Sequence, residues 1–216
     1  TLETQTTGSG DTATTEVQFG TTGLEAFLGH GPLRLSGGSL NPAATGLQVV
    51  NAGFGLLTRQ SGSDPAGYAL KATGDVNLLG FSELQLTATN WIIADNTLGD
   101  LSAAPVSIAT GGAPISLDFK GNLRIFSGAA ALTTPVAQIS GTFAAASDTG
   151  NVLLAARGVQ AFVGDRKGAG AGDDTGVQIT SGNFAALLKA DGTYAVEASG
   201  TAGLVGVPDL TLGGTF

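Results

Sequence analysis

Carboxylates set among glycines in Gly168-Ala-Gly-Ala-Gly-Asp173-Asp174-Thr-Gly176 are the first residues whose types and spacing could do chemistry. Alternating glycine and aspartate wraps calcium in parallel β-rolls through the nonapeptide Gly-Gly-x-Gly-x-Asp-x-apolar-x. Gly170, Gly172 and Asp174 fall on positions two, four and six, yet the apolar position falls on Gly176 and the run occurs once. Asp173 and Asp174 are therefore candidate calcium ligands in an incomplete template. Asp95-Asn96-Thr-Leu-Gly-Asp100 is the second candidate, with Asp95, Asn96 and Asp100 offering oxygens on one turn. Neither stretch is tandem, so folding is expected without obligatory calcium or any other cofactor.

Catalytic constellations are thin. His30 is the only histidine, so a nucleophile-histidine pair or an imidazole-rich metal site would have to be built around it. Glu16, Glu25, Glu83 and Glu197 could supply the two carboxylates of a glycoside hydrolase, but nothing in their spacing pairs them. Trp91 could stack a sugar, although Asn90-Trp91-Ile92-Ile93 reads better as a strand that packs the ring inside. No enzymatic activity is expected.

The elements that would position these residues repeat. Gly23-Leu-Glu-Ala-Phe-Leu-Gly29 returns as Gly158-Val-Gln-Ala-Phe-Val-Gly164, Gly46-Leu-Gln-Val-Val50 as Gly176-Val-Gln-Ile-Thr180, and Tyr68 to Thr89 as Tyr194 to Thr215 without a gap. The offset falls from 158 − 23 = 135 to 176 − 46 = 130 and then 194 − 68 = 126, as it does when loops shorten while strands keep register. His30 then answers to Asp165 in a turn, and Glu25 to Gln160, which favours solvated roles for both. The expected organisation is the end of a preceding unit in 1–22, a repeat unit in 23–157 and a partial second unit in 158–216.

Apolar residues alternate in Leu84-Gln-Leu-Thr-Ala88 and Ile115-Ser-Leu-Asp-Phe119, the period of half-buried strands. Gly37-Gly38, Gly111-Gly112, Asp148-Thr-Gly150 and Asp191-Gly192 punctuate them. The class is all-β with strands of roughly 5 to 8 residues. Abundant small residues point to an elongated β-solenoid with a narrow core. The alternative is an extended antiparallel meander or sandwich, favoured by the Asp191-Gly192 hairpin signal.

Charged residues are 12% of the chain, Gly is 35 of 216, and mean hydropathy is +0.26, the balance of an ordered, glycine-rich chain. A net charge of −8 argues against nucleic acid, which wants a basic face. Membrane insertion is not expected either: the long uncharged stretch 125–147 is broken by Gly128, Pro135 and Gln138, and one Trp with two Tyr cannot furnish the aromatic girdles of a membrane barrel. Cysteine is absent.

The motifs Gly-x-x-Ala-Phe-x-Gly, Gly-x-Gln and Tyr-Ala-x-x-Ala-x-Gly-x-x-x-Leu-x-Gly-x-x-x-Leu-x-Leu, present in both copies, resemble the tandem units of very large repetitive, adhesin-like bacterial proteins of the secreted or surface class. That resemblance implies an extracellular or cell-surface repeat. The expected function is a non-enzymatic structural segment of a fibre, layer or stalk, assembling as a homo-oligomer or filament. The rivals are an adhesin-type module with a surface or glycan ligand and a polysaccharide-cleaving β-helix enzyme.

Overall fold

The computed structural model describes residues 1–148, 151–166, 174–189, 191, 193–207, 210 and 212–216. Strands follow one another as β1 (Leu2–Thr7), β2 (Thr14–His30), β3 (Thr45–Ser61), β4 (Gly67–Leu79), β5 (Gln85–Asn96), β6 (Val106–Ile108), β7 (Ile115–Leu117), β8 (Leu123–Thr133), β9 (Ala137–Asp148), β10 (Asn151–Asp165), β11 (Thr175–Leu188), β12 (Tyr194–Val205) and β13 (Gly213–Thr215). Eleven of them form one open antiparallel sheet in the order β1-β2-β3-β4-β5-β8-β9-β10-β11-β12-β13. Each strand lies beside its neighbour in the chain, save that β5 adjoins β8 because the β6–β7 hairpin leaves the sheet.

The protein is thus all-β, and its ladders are those of an antiparallel meander. The expected solenoid would stack parallel rungs, and every pairing among the described residues is antiparallel. The small residues that suggested a narrow solenoid core serve a different end, the close approach of a covering segment. Residues 97–122 leave β5, cross one face of β2, β3 and β4, and return into β8. Ile108 and Ile115 press on Gly55, where an added Cβ would stand 3.0 Å from Ile115, and a Cβ on Gly20 would overlap Ile108 and the Ala109 carbonyl.

This cover makes the core. Leu57, Ala69 and Ala94 from the sheet meet Leu101, Ile108, Ile115, Leu117 and Phe119 from the segment above, all of them buried. Two polar devices fasten it. The Asn96 side chain, 1% exposed, donates to the Gly99 and Gly121 carbonyls at 2.7 Å each and accepts from the Leu98 N–H at 3.1 Å, tying both ends of the segment to β5. Lys71 donates to the Ser116 carbonyl at 3.2 Å and lies 3.8 Å from the Asp118 carboxylate.

Strands of 17 residues exceed the expected 5 to 8, and bulges let them run so long. Register breaks fall at mid-strand in β2, β3, β5, β10 and β11, where Gly23, Asn51, Asn90, Gly158 and Ser181 have φ between 53° and 70°. A bulge adds local twist, so a row of them bends the whole sheet along one line. Asp75 stands on that line and joins two of the bulges, accepting from Asn51 Nδ2 and from the Asn90 backbone N–H at 2.9 Å each.

Those hydrogen bonds, the Asn51 amide first, hold the Asp75 carboxyl below its ordinary value of 3.8. A carboxyl with a depressed folded value stabilises the fold above its unfolded value, and the contribution is lost as pH falls through the folded one. Asp75→Asn is therefore expected to melt lower than the wild type at neutral pH, with the gap closing once pH drops below 3.8 toward the depressed folded value. Paired thermal melts across that range check it; a gap that stays constant would show that the Asp75 charge plays no part.

Strand order recurs along the sheet: β10, β11, β12 and β13 neighbour one another as β2, β3, β4 and β5 do. The row Gln18, Leu57, Ala69 of the first set answers to Leu153, Leu187, Ala195 of the second, at the offsets of the sequence match. Asn51 and Ser181, both in the left-handed region, stand 130 residues apart at matching bulges.

Candidate functional site

With the β6–β7 segment covering one face, the other face of the sheet carries apolar side chains that nothing among the described residues overlies. Rows of directly opposed residues share a face, and one such row runs Phe54, Ala72, Ile93, Phe126, Ala145, Leu154. Ile93 and Phe126 are each 46% exposed, high for side chains of this size in mid-sheet. Two shallow grooves of about 440 and 520 Å³ lie in this face.

Trp91 and Phe126 form the shared wall of the two grooves. Their ring centroids are 4.2 Å apart at 34°, and the indole lies over Gly128, where a Cβ would come within 2.6 Å of it. Gly128 is what lets the ring lie flat on β8. The ring packs partly buried on the uncovered face, neither sealed in the core as the strand reading expected nor freely exposed. Its Nε1 is buried without a hydrogen-bond partner.

On the covered side, beyond the reach of residues 97–122, a third groove of about 620 Å³ is lined by Thr87, Thr89, Ser140, Thr142, Arg157 and Asn183, with alanine and glycine between them. Ion pairs engage Arg34 with Glu25, Arg59 with Glu16, Arg124 with Asp95 and Arg166 with Asp174. Arg157 is the arginine without a carboxylate partner among the described residues.

The residues singled out from the sequence are dispersed. Asp95 Oδ2 accepts from Tyr68 Oη at 3.0 Å and from Arg124 Nε at 2.9 Å. Its neighbour Asn96 points through the opposite face into the core, and Asp100 Oδ1 accepts from the backbone N–H and hydroxyl of Ser102 at 2.8 and 2.7 Å. The Asp95, Asn96 and Asp100 oxygens are thus spent on separate internal tasks and do not converge. Asp173 lies outside the described residues. Asp174 faces Arg166 at 3.9 Å, with one buried carboxylate oxygen unpartnered.

Of the four candidate glutamates, Glu25 takes a two-pronged grip from Arg34 at 2.8 and 2.9 Å and a further bond from Gln48 at 2.8 Å. The Arg34 hydrogen bond first, and then Gln48, lowers its carboxyl below the usual range, fitting a structural anion and not a proton donor. Glu16 is 2.6 Å from Arg59, while Glu83 and Glu197 are exposed. His30 ends β2, exposed, and Asp165 ends β10. Among the described residues no group of three His, Cys, Asp or Glu could hold a metal ion.

The grooves were invisible to sequence reasoning because they depend on which strands are covered. No helix among the described residues is long and apolar enough to cross a membrane. No family model, curated protein or solved structure matches this chain.

Proposed function

We propose that the chain is a non-enzymatic structural repeat segment of an extracellular fibre, layer or stalk, in which 23–157 is one unit and 158–216 part of the next. The observation that carries this reading is the recurrence of the β2-β3-β4-β5 order as β10-β11-β12-β13 inside a single continuous sheet. A sheet that passes from one unit to the next without a boundary grows by addition of strands, as repeat arrays do. Of the carboxylates, Glu16, Glu25 and Asp95 are meanwhile held in separate ion pairs.

Sedimentation velocity over a hundredfold concentration range tests the proposal. Species growing progressively with concentration are expected, in step with elongated particles in negative-stain images. A single monomer boundary at every concentration would remove the support for a fibre.

The uncovered apolar face favours a second reading, an adhesin-type binding module. Its grooves suit an apolar ligand better than a polar glycan, with Trp91 placed to report binding through its fluorescence.

A further inference from the structure

Three ranks of directly opposed residues cross the middle of the sheet on the covered side, clear of residues 97–122. The first runs Thr89, Ala129, Thr142, Arg157, and the second Thr87, Ala131, Ser140, Gln160. The third sets Gln138, Phe162 and Gln178 side by side on β9, β10 and β11. A bulge between Arg157 and Gln160 absorbs one extra residue of β10, so both keep the face of their partners Thr142 and Ser140. On β8 only the alanines 129 and 131 stand between the threonines of β5 and the hydroxyls of β9, and they floor the groove of about 620 Å³, a size usual for ligand sites. A recess of about 70 Å³ continues the groove past Ser140 to the glutamines and Phe162.

We propose that this track binds an acidic saccharide, with Arg157 gripping a sugar carboxylate and the hydroxyl and amide ranks meeting sugar hydroxyls. Its polar groups are unspent. Among the described residues the side chains of Thr87, Thr89, Ser140 and Thr142 make no hydrogen bond, and neither do those of Gln138, Gln160 and Gln178. Arg157 is the one charged residue lining the groove, while the other four arginines of this net-acidic chain lie in ion pairs. The site is independent of the fibre reading, since a stalk segment folds alike with or without a ligand there.

The chemistry of the track selects this class. A guanidinium holds a carboxylate through two parallel N–H···O bonds, which a neutral sugar cannot accept in the same way. Hydroxyls and primary amides both donate and accept, which matches the mixed demand of sugar hydroxyls. Phe162, flanked by Gln138 and Gln178, offers a flat apolar surface to the C–H face of a sugar ring beside two amides for its rim. From Thr89 to Arg157 the groove crosses three strand spacings, about 14 Å, which makes it a site for a short chain of sugars. An acidic peptide would satisfy Arg157 but lacks the hydroxyls that the remaining ranks are built to meet.

Calorimetric titration of the full chain at low salt, with a trimer of galacturonic acid as the probe, tests the site. The trimer is expected to bind at least about tenfold more tightly than its methyl ester, which keeps the rings and loses the charge. Arg157→Gln, at an exposed position, should weaken binding of the acid by at least about tenfold, and Ala131→Phe, which fills the floor without touching the charge, should do the same. Arg124→Gln, on the opposite face, should bind as the wild type does, and thermal melts confirm that each variant is folded. No binding by the wild type, equal binding of acid and ester, or equal losses in Arg157→Gln and Arg124→Gln would overturn the site. A triglutamate peptide binding as tightly as the sugar acid would reject the saccharide and leave a groove that reads charge alone. Sedimentation keeps this result apart from the fibre reading: binding by a chain that stays monomeric upholds the site and rejects the fibre, and assembly without binding does the reverse.

Discussion

Replacing Leu57 with alanine is expected to lower the unfolding free energy by about 3 kcal/mol, within the range for a leucine truncated in a core that cannot collapse around the cavity. Leu57 is fully buried between the sheet and the β6–β7 segment, in the cluster with Ile108, Ile115 and Leu117. Leu153 lies opposite Leu187, the residue that matches Leu57 at the offset of 130, and is 46% exposed because no described segment crosses there. Leu153→Ala should therefore cost only about 0.5 kcal/mol, as for surface positions. Urea denaturation of the two variants measures the contrast, and equal losses would mean that residues 97–122 do not seat as described.

Asn96→Leu is the second large effect, with a loss of about 3 kcal/mol or more. The side chain serves three backbone groups, and a leucine of similar size would leave the Gly99 and Gly121 carbonyls and the Leu98 N–H without it. Each buried polar group left unpaired costs about 1 to 3 kcal/mol, so even partial rescue by water leaves a marked deficit. Because Asn96 turns its nitrogen toward the carbonyls, the site works as an internal clasp without an ion, and a calcium chelator is expected to leave the wild-type melting temperature unchanged. A loss under about 1 kcal/mol in the variant would show that the segment is held by its apolar contacts alone.

Much of the sheet could be read from residues. The ungapped match of Tyr68 to Thr89 with Tyr194 to Thr215 falls on β4 and β5 and on β12 and β13, and the hairpin signal near Asp191 lies where Leu188 pairs with Tyr194. The covering segment could not be read, because Pro105, Gly111-Gly112 and Pro114 mark turns without saying that the chain between them leaves the sheet and returns. Gly20 and Gly55 signalled narrow space, but a composition signal does not distinguish a solenoid interior from a surface pressed by Ile108 and Ile115. The bulges hid for a related reason: Asn51, Asn90 and Ser181 take up a left-handed backbone that sequence reasoning assigns first to glycine. As for the sites, the candidate calcium residues had suitable types, and only the alternation of strand faces sends Asp95 and Asn96 apart.

Pairing each strand with its predecessor in the chain has a kinetic consequence. The ladders are assembled from hairpins of short loop closure, and such topologies fold faster than those that must first join distant segments. A chain emerging from its amino end can lay down β1, β2, β3 and β4 in order, each new strand finding a finished edge. The exception is the crossing by residues 97–122, which reaches back to β2 and buries Leu57 only after β5 has been added. During vectorial emergence the first four strands should thus form a loose, exchange-prone ribbon that locks only when the hairpin swings over it, making that swing the commitment step of folding.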